Sequence, residues 1–154
     1  MQILEPHSAG YLPSIRELFV EYANSIEVDL CFQGFEGELA ELPGRYAPPY
    51  GRLLLALDGV NAAGCVALRK IGDGFCEMKR LYVRPAFRGK GLGRTLAGEI
   101  IAAAKQIGYQ RMLLDTLGSM KEAIALYQSL GLQRIAPYYD NPSGCAVFME
   151  LKLH

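Results

Sequence analysis

The feature that most constrains the fold is a glycine-rich run, Arg88-Gly89-Lys90-Gly91-Leu92-Gly93, between segments with two different hydrophobic patterns. The residues before it, Phe75 to Val83, have the composition of a β-strand. After the run, apolar residues recur at spacings of three and four, as on one helical face: Leu92, Leu96, Ile100, Ala104 and Ile107. Gly108 suits the end of that helix. The sequence therefore predicts a strand, a turn with exposed amides, and a helix in succession.

The N-terminal third predicts two helices. The first runs from Pro13 to about Glu27, with Ser14 as a candidate cap. Its apolar face consists of Ile15, Leu18, Phe19, Tyr22 and Ile26. The second runs from about Asp29 to Leu42 and ends at Pro43-Gly44, because proline cannot continue a helix there. Its candidate inward residues are Leu30, Phe35, Leu39 and Leu42.

Strands account for most of the remainder. Leu53–Leu57, Ala62–Leu68 and Phe75–Val83 are separated by glycine turns and predict an antiparallel meander. The C-terminal half adds a strand at Arg111–Asp115, a helix at Met120–Leu130, and strands at Leu132–Ile135 and Ala146–Leu153. This order predicts one α/β (α+β) domain, residues 1–154, around a mixed sheet.

The composition excludes several classes of protein. Hydrophobic residues make up 51% and charged residues 21% of the 154 residues, which excludes a disordered or collagen-like chain. Sixteen basic and sixteen acidic residues cancel, so no net positive field attracts nucleic acid or anionic lipid. Apolar runs are too short to span a bilayer and the first residues lack a signal-peptide pattern, so we expect a cytoplasmic protein.

The four cysteines are scattered: Cys31, Cys65, Cys76 and Cys145. They form no Cys-x-x-Cys pair, and the two histidines, His7 and His154, stand near the chain ends. A zinc site needs clustered ligands, so we expect the cysteines to be small buried hydrophobic residues in a reducing compartment and the protein to use no metal.

The glycine run matches neither of two common phosphate-binding motifs. A dinucleotide fingerprint needs a third glycine where Leu96 stands, and a P-loop needs Ser or Thr where Gly91 follows Lys90. The pattern Arg-x-x-Gly-x-Gly at Arg88, Gly91 and Gly93 resembles the pyrophosphate-binding signature of the GCN5-related N-acetyltransferase superfamily. The similarity continues through residues 123–132. The alternative interpretation of the glycine run is a flexible turn that binds no ligand.

This resemblance implies a fold and an activity. The fold is that of acyl-CoA N-acyltransferases, a mixed, mostly antiparallel sheet of about seven strands with a splayed pair, flanked by about four helices. The activity is transfer of an acetyl group from acetyl-CoA to a primary amine by direct attack, with a small molecule as the favoured acceptor. Alternatives are a protein or peptide amine as acceptor, and a non-catalytic acyl-CoA binding or regulatory module.

The resemblance also assigns residues to acetyl-CoA. The cofactor-binding residues it implies are Leu81, Tyr82, Val83, Arg88, Gly89, Lys90, Gly91, Leu92, Gly93, Arg94 and Tyr127. Amides of the glycine run would hold the pyrophosphate at the positive end of a helix dipole. The amide near Leu81 would polarise the thioester carbonyl. Leu81 and Val83 alternatively belong only to the core.

Two side chains carry the implied acid–base chemistry. Tyr127 stands where relatives have the acid that protonates the departing thiolate, although it also lies on an apolar helical face. Glu77 is the candidate base, and we expect partial burial to raise its pKa. The alternative for Glu77 is an ion pair with Lys79. If the mechanism used a covalent intermediate instead, Cys76 would be the candidate nucleophile.

One position departs from the family pattern. Many relatives have asparagine seven residues before the tyrosine, where this chain has Met120. Asp115 and Thr116 are replacements for its polar contacts with the pantetheine arm, or else helix-capping and turn residues.

The acceptor site is expected at the first two helices and the last loop. The candidate substrate-binding residues are Asp29, Phe32, Tyr138 and Tyr139, because aromatic rings and a carboxylate suit a cationic amine. Other aromatic and acidic residues in these regions are Phe35, Tyr46, Tyr50 and Asp140. Loop 138–144 is a candidate lid. A homodimer joined through the C-terminal strands is compatible with this sequence.

Overall fold

One twisted sheet organises the chain. The computed structural model describes residues 1–6, 10–26, 34–141 and 144–154. Within these ranges seven strands follow the order β1-β2-β3-β4-β5-β7-β6. They are β1 (Gln2–Leu4), β2 (Arg52–Asp58), β3 (Asn61–Gly72), β4 (Phe75–Val83), β5 (Arg111–Leu117), β6 (Gln133–Ile135) and β7 (Ala146–Lys152). Among these seven described strands only β4 and β5 pair in parallel, which confirms the predicted mixed, mostly antiparallel sheet.

Four α-helices flank the sheet in the described part of the chain: α1 (Leu12–Ser25), α2 (Phe35–Glu41), α3 (Leu92–Ile107) and α4 (Lys121–Ser129). The predicted cap at Ser14 is wrong, because Tyr11 precedes the helix and its carbonyl accepts the Ser14 amide at 3.1 Å. Helix α2 begins at Phe35, and its predicted beginning near Asp29 lies outside the described residues. None of the described helices is both long and apolar enough to cross a membrane.

The sheet separates two hydrophobic layers. Successive side chains of a strand point to opposite faces of the sheet, so each strand contributes residues to both layers. On β2, Leu54 and Ala56 pack in the layer that contains α3, whereas Leu53, Leu55 and Leu57 face the opposite layer. Fully buried members of the α3 layer include Leu96, Ile100, Met112 and Met149. Those of the α1 layer include Ile15, Leu18 and Phe19. Each such side chain stabilises the fold by about 1.5–3 kcal/mol relative to exposure.

A bulge interrupts β4. Ala67 of β3 pairs with Lys79 and Cys65 pairs with Tyr82, so two β4 residues, Arg80 and Leu81, stand opposite one β3 residue. Arg80 has φ of 61°, which places it in the left-handed region. The extra residue reverses the alternation of side chains, and Lys79 and Arg80 therefore follow one another on the same face.

Beyond the bulge, β4 leaves its parallel neighbour. The two strands pair only where Phe75–Glu77 face Arg111–Leu113. Past Leu113, β5 continues in register with β7 as far as Leu117. The sheet therefore opens between β4 and β5, which confirms the splayed pair that the resemblance implies.

Candidate active site

The opening between β4 and β5 forms a cavity, which we call the gap. Its walls are residues 78–81 of β4 and 114–117 of β5, and one side is closed by Met120, which precedes α4, and by Ala123 and Tyr127 of α4. Because the strands are unpaired here, main-chain groups of the sheet border a cavity instead of a neighbouring strand. The gap can accept a ligand in an extended conformation.

A groove leads from the gap to the glycine run. It has a volume of about 850 Å³ and shares Leu81, Leu117 and Met120 with the gap. Along it the structure brings together several residues that the sequence assigned to acetyl-CoA: Leu81, Tyr82, Val83, Arg88, Gly89 and Gly93. Tyr127 lies at the inner end, in the gap. The remaining assigned residues, Lys90, Gly91, Leu92 and Arg94, do not line the groove, and the Leu92 side chain is buried in the core.

The glycine run presents a series of unpaired amides. Gly89 and Gly91 have φ of 79° and 80°, a conformation that side chains resist. The Arg88 amide donates to Pro85 O and the Thr95 amide to Gly91 O. Between them, within the described chain, no main-chain hydrogen bond forms at the amides of residues 89–94. These donors lie at the start of α3, where the helix dipole favours an anion.

Two arginines beside the run have intramolecular partners. Arg88 Nε donates to Val83 O at 2.8 Å, and its guanidinium lies 5.7 Å from the centre of the Tyr82 ring. Arg94 Nη2 donates to Ser129 Oγ of α4 at 2.7 Å. Arg88 therefore adds positive charge to the groove, whereas Arg94 connects the beginning of α3 with the end of α4.

Tyr127 occupies the boundary between the gap and the core. It is buried, belongs to the α3 layer and also lines the gap. Burial raises the pKa of its phenol well above the ordinary value, with smaller contributions from Tyr22 and Asp115. The phenol therefore keeps its proton at neutral pH, which a general acid requires. Both descriptions of this residue, packed tyrosine and proton donor, fit its position.

Glu77 does not have the raised pKa that the sequence predicted. Burial would raise the pKa of this carboxyl, but Lys79, Arg69 and a Tyr138 hydrogen bond outweigh burial and lower it. Arg69 Nε and Nη2 each lie 2.8 Å from Glu77 Oε1, and Lys79 Nζ lies 3.8 Å from the same oxygen. Glu77 is thus a buried, ionised carboxylate, as in the alternative prediction of an ion pair.

Lys79, which pairs with Glu77, lines the gap. Its side chain is buried, and burial lowers its pKa to about 8 despite the opposing effect of Glu77. Lys79 stands directly before the bulge. A fraction of this amine is therefore uncharged near neutral pH.

Tyr138 and Tyr139 connect the two splayed strands. The Tyr138 hydroxyl donates to Glu77 Oε2 at 2.6 Å, and the Tyr139 hydroxyl donates to Asp115 Oδ2 at 2.7 Å. Both rings pack edge-on against Phe148, with centres 5.2 Å away. Glu77 belongs to β4 and Asp115 to β5, so the loop after β6 covers the place where these strands separate. Its action as a lid stays a prediction.

Other predicted residues have different surroundings. Asp29 and Phe32 lie outside the described residues. Tyr46 is buried in the α1 layer and Tyr50 is exposed beside Lys70, so neither lines the gap. Asp115 and Thr116 line the gap and do not cap α4, which Met120 precedes.

Cys76 lacks the properties of a nucleophile. Like Cys65 it is fully buried, as predicted, whereas Cys145 is exposed and the prediction of burial is wrong for it. Burial raises the pKa of Cys76 to about 12. Its thiol lies 3.5 Å from the carbonyl oxygen of Arg111. A buried thiol with a raised pKa is inert, so the structure offers no support for a covalent intermediate on Cys76.

Sequence reasoning gave no role in ligand binding to four cations at the gap and at a neighbouring cavity: Arg45, Arg69, Lys79 and Arg80. Arg80 is buried and makes two 3.0 Å bonds to Glu38 of α2. Arg45 and Arg69 border a second, outer cavity next to Glu77. The adjacent basic pair Lys79-Arg80 in an apolar strand was a signal, but a regular strand would place these side chains on opposite faces.

Comparisons with known proteins agree with this geometry. A model of the Acetyltransferase (GNAT) family matches residues 12–132. An uncharacterized N-acetyltransferase of Schizosaccharomyces pombe is 44% identical over 144 residues, which are 92% of this chain and 88% of the relative.

Solved structures show the same fold. A GNAT-family acetyltransferase from Staphylococcus aureus superposes with a TM-score of 0.81 at 19% identity, covering 99% of both chains. A Bacillus subtilis acetyltransferase in complex with CoA has a TM-score of 0.58 at 26% identity, over 66% of this chain and 76% of that one. The family match spans the splayed strands and the glycine run alike, and on this evidence the chain belongs to the GNAT family and is an acetyltransferase.

Proposed function

We propose that the protein transfers the acetyl group of acetyl-CoA to the primary amine of a small molecule. The observation that carries the proposal is the continuity of the unpaired amides at residues 89–94, the groove and the gap. A pyrophosphate bound at the amides would direct the thioester arm along Leu81–Val83 into the gap. The CoA complex of the Bacillus subtilis relative supports this choice of cosubstrate.

In the proposed reaction the amine attacks the thioester directly. The amide near Leu81 polarises the carbonyl as negative charge develops on its oxygen. Tyr127 then gives its proton to the departing thiolate, which lowers the free energy of that step. Glu77 is ionised and its lowered pKa makes it a weak base, which favours water molecules as carriers of the amine proton.

The surroundings of Glu77 favour a small acceptor over a peptide. The outer cavity beside it has a volume of about 450 Å³ and contains arginines rather than a rim of acidic residues. An acidic open groove would instead suit a basic peptide. The cavity size is that of small-molecule sites.

Substitution of Tyr127 by phenylalanine tests the proposal. We expect kcat for thiol release to fall about 100-fold or more while the Kd for CoA stays within about twofold, because the phenol acts on the leaving group. Tyr109→Phe is the matched control, since it removes a buried phenol that donates to Tyr50 O at 2.6 Å and does not line the gap or the groove. Equal kcat values in both variants would contradict a proton donor at Tyr127.

A broad amine panel tests the reaction itself. We expect free thiol from acetyl-CoA only when an acceptor is present, with ternary-complex kinetics. A burst of acetylated protein without acceptor would contradict direct attack. Absence of turnover with every amine would contradict the small-molecule assignment.

A further inference from the structure

Several polar side chains line the outer cavity. Arg45 and Arg69 both border it, together with Glu77 and Tyr138. The same two arginines also border the neighbouring cavity between α2 and β3. Two arginine side chains thus border the same two cavities, next to Glu77 of β4.

The hydrogen bonds of these arginines use only part of each guanidinium. Arg45 Nη2 donates to Lys70 O at 2.9 Å, and Arg69 contacts Glu77 through Nε and Nη2. Across the described ranges, the other nitrogens of the two groups make no hydrogen bond. A bound carboxylate would find paired N–H donors here, in the geometry that arginine offers to such groups.

The charge around the outer cavity is positive. Glu77 is the carboxylate that borders the outer cavity, and it is already paired with Arg69 and Lys79. Glu38, which borders the neighbouring cavity, is paired with Arg80. Among the described residues, the charged groups at the two cavities and in their ion pairs are Arg45, Arg69, Lys79, Arg80, Glu38, Glu41 and Glu77. Cations outnumber carboxylates in this set, which disfavours a second ammonium group and favours an anion.

The outer cavity lies at a distance from the thioester position. Glu77 pairs with Arg69 of β3, and the bulge places Leu81 opposite Val66, three residues along β3, so at about 3.3 Å per residue this separation is roughly 10 Å. An amine at the gap and an anion at the arginines must therefore be joined by several bonds. Phe75 and Leu113 supply an apolar part of the outer cavity's wall.

We propose that the acceptor is a small amine with a carboxylate at the far end of a short carbon chain, and that Arg45 and Arg69 bind this carboxylate. The inference rests on the proposed function, because it names the substrate class of the same site. It differs from the sequence expectation, in which carboxylates of the protein held a cationic acceptor.

A matched pair of acceptors tests this assignment. 6-Aminohexanoate and 6-aminohexanamide have the same chain and amine and differ in the terminal charge. We expect kcat/KM for the acid to exceed that for the amide about 10- to 100-fold, the range for a charged hydrogen-bonded pair. Arg45→Gln should reduce this ratio toward one. Arg16→Gln is the control, because exposed Arg16 likewise donates to one backbone oxygen, that of Leu39, and should keep the ratio.

Binding measurements separate the two proposals. With CoA present, we expect 6-aminohexanoate to raise Tm more than 6-aminohexanamide does, and Arg45→Gln to remove the difference. Selective binding without thiol release would overturn the proposed transfer and uphold the carboxylate site. Thiol release with equal kcat/KM for both acceptors, or a ratio unchanged by Arg45→Gln, would overturn the carboxylate site alone. Equal binding of both compounds without turnover would overturn both.

Discussion

Single backbone conformations determine where the groove can run. Arg80 is the non-glycine residue with positive φ in the described chain, and it is where the bulge separates Lys79 from Tyr82. Gly89 and Gly91 have the same kind of conformation at the groove's other end. An alanine Cβ at Gly89 or Gly91 would meet no atom within 4 Å. These glycines are therefore required by dihedral angle and not by space.

Replacing Gly91 by alanine should weaken CoA binding. The positive φ at Gly91 disfavours a side chain by about 1–2 kcal/mol, so we expect the turn to relax and its amides to diverge. Isothermal calorimetry should show a Kd for CoA raised about 10-fold. Gly98→Ala, on the same helix and also with open space, should leave Kd unchanged and stabilise α3 by about 0.5–1 kcal/mol. Equal Kd values for both variants would contradict pyrophosphate binding by the amides of residues 89–94.

Lys79 should give unfolding a specific pH dependence. Its pKa is about 8 in the folded protein and about 10.4 when unfolded, so between these values the unfolded chain binds more protons. Folding stability from this group therefore rises with pH in that window. We expect the free energy of unfolding of the natural chain, minus that of Lys79→Met, to increase from pH 8 to 10.

The control for this measurement is Lys105→Met, an exposed position on α3. Subtracting the variant removes the titration of the buried cysteines and tyrosines, which is common to both proteins. Urea unfolding at several pH values measures the difference. A difference that stays constant from pH 8 to 10 would show that Lys79 keeps an ordinary pKa.

At the scale of elements, ion pairs hold the short helix α2 against the sheet. Arg80 is buried, pairs with Glu38 and lies 5.3 Å from the centre of the Phe35 ring. Helix α2 has no buried residue of its own and spans Phe35–Glu41. Such a short helix is marginal alone, so tertiary contacts must stabilise it.

A double-mutant cycle on Arg80 and Glu38 measures this contribution. Arg80→Met and Glu38→Gln should each destabilise the protein by about 3 kcal/mol, since each leaves a poorly solvated partner. The double variant should lose less than the total of both. Methionine has a Cβ atom like arginine, so Arg80→Met leaves the strain of the positive φ at residue 80 unchanged. The control is Glu36→Gln at an exposed position of the same helix, which should change stability by less than about 0.5 kcal/mol. If the effects of Arg80→Met and Glu38→Gln were additive, the two residues would not be coupled.

The elements themselves were largely predictable. Helix α3 begins at Leu92 and ends before Gly108, as its apolar spacing and terminal glycines indicate. Strand β4 has the predicted bounds, Phe75–Val83. The predicted cap of α1 was wrong because the capping residue stands where the chain enters the helix. Helix α1 already includes Pro13, so Ser14 lies too far inside the helix to cap it.

At the scale of the whole molecule, the groove joins elements distant in sequence. Tyr22 of α1, Leu81 of β4 and Met120 beside α4 all border it. A ligand that contacts all three favours the folded state over the unfolded chain. Coenzyme binding and global stability should therefore be coupled.

Thermal unfolding with CoA tests this coupling. At a CoA concentration of 100 Kd, binding stabilises the fold by about 2.7 kcal/mol, which raises Tm by roughly 5–10 °C in a domain of this size. Adenosine lacks the pyrophosphate and should give a much smaller shift at the same concentration. A shift of equal size with adenosine would show that the amides of residues 89–94 contribute nothing.

The sequence by itself determined the succession of strand, glycine turn and amphipathic helix, because hydrophobic period and glycine conformation are local properties. The family resemblance also pointed to Tyr127, which lines the gap, while its role as an acid stays a prediction. Tertiary structure alone decided that Lys79 and Arg80 share a face, and that Arg69 and Tyr138 hold Glu77 ionised. The physical reason is that a bulge is a property of two paired strands, and a pKa depends on charges that only folding brings together.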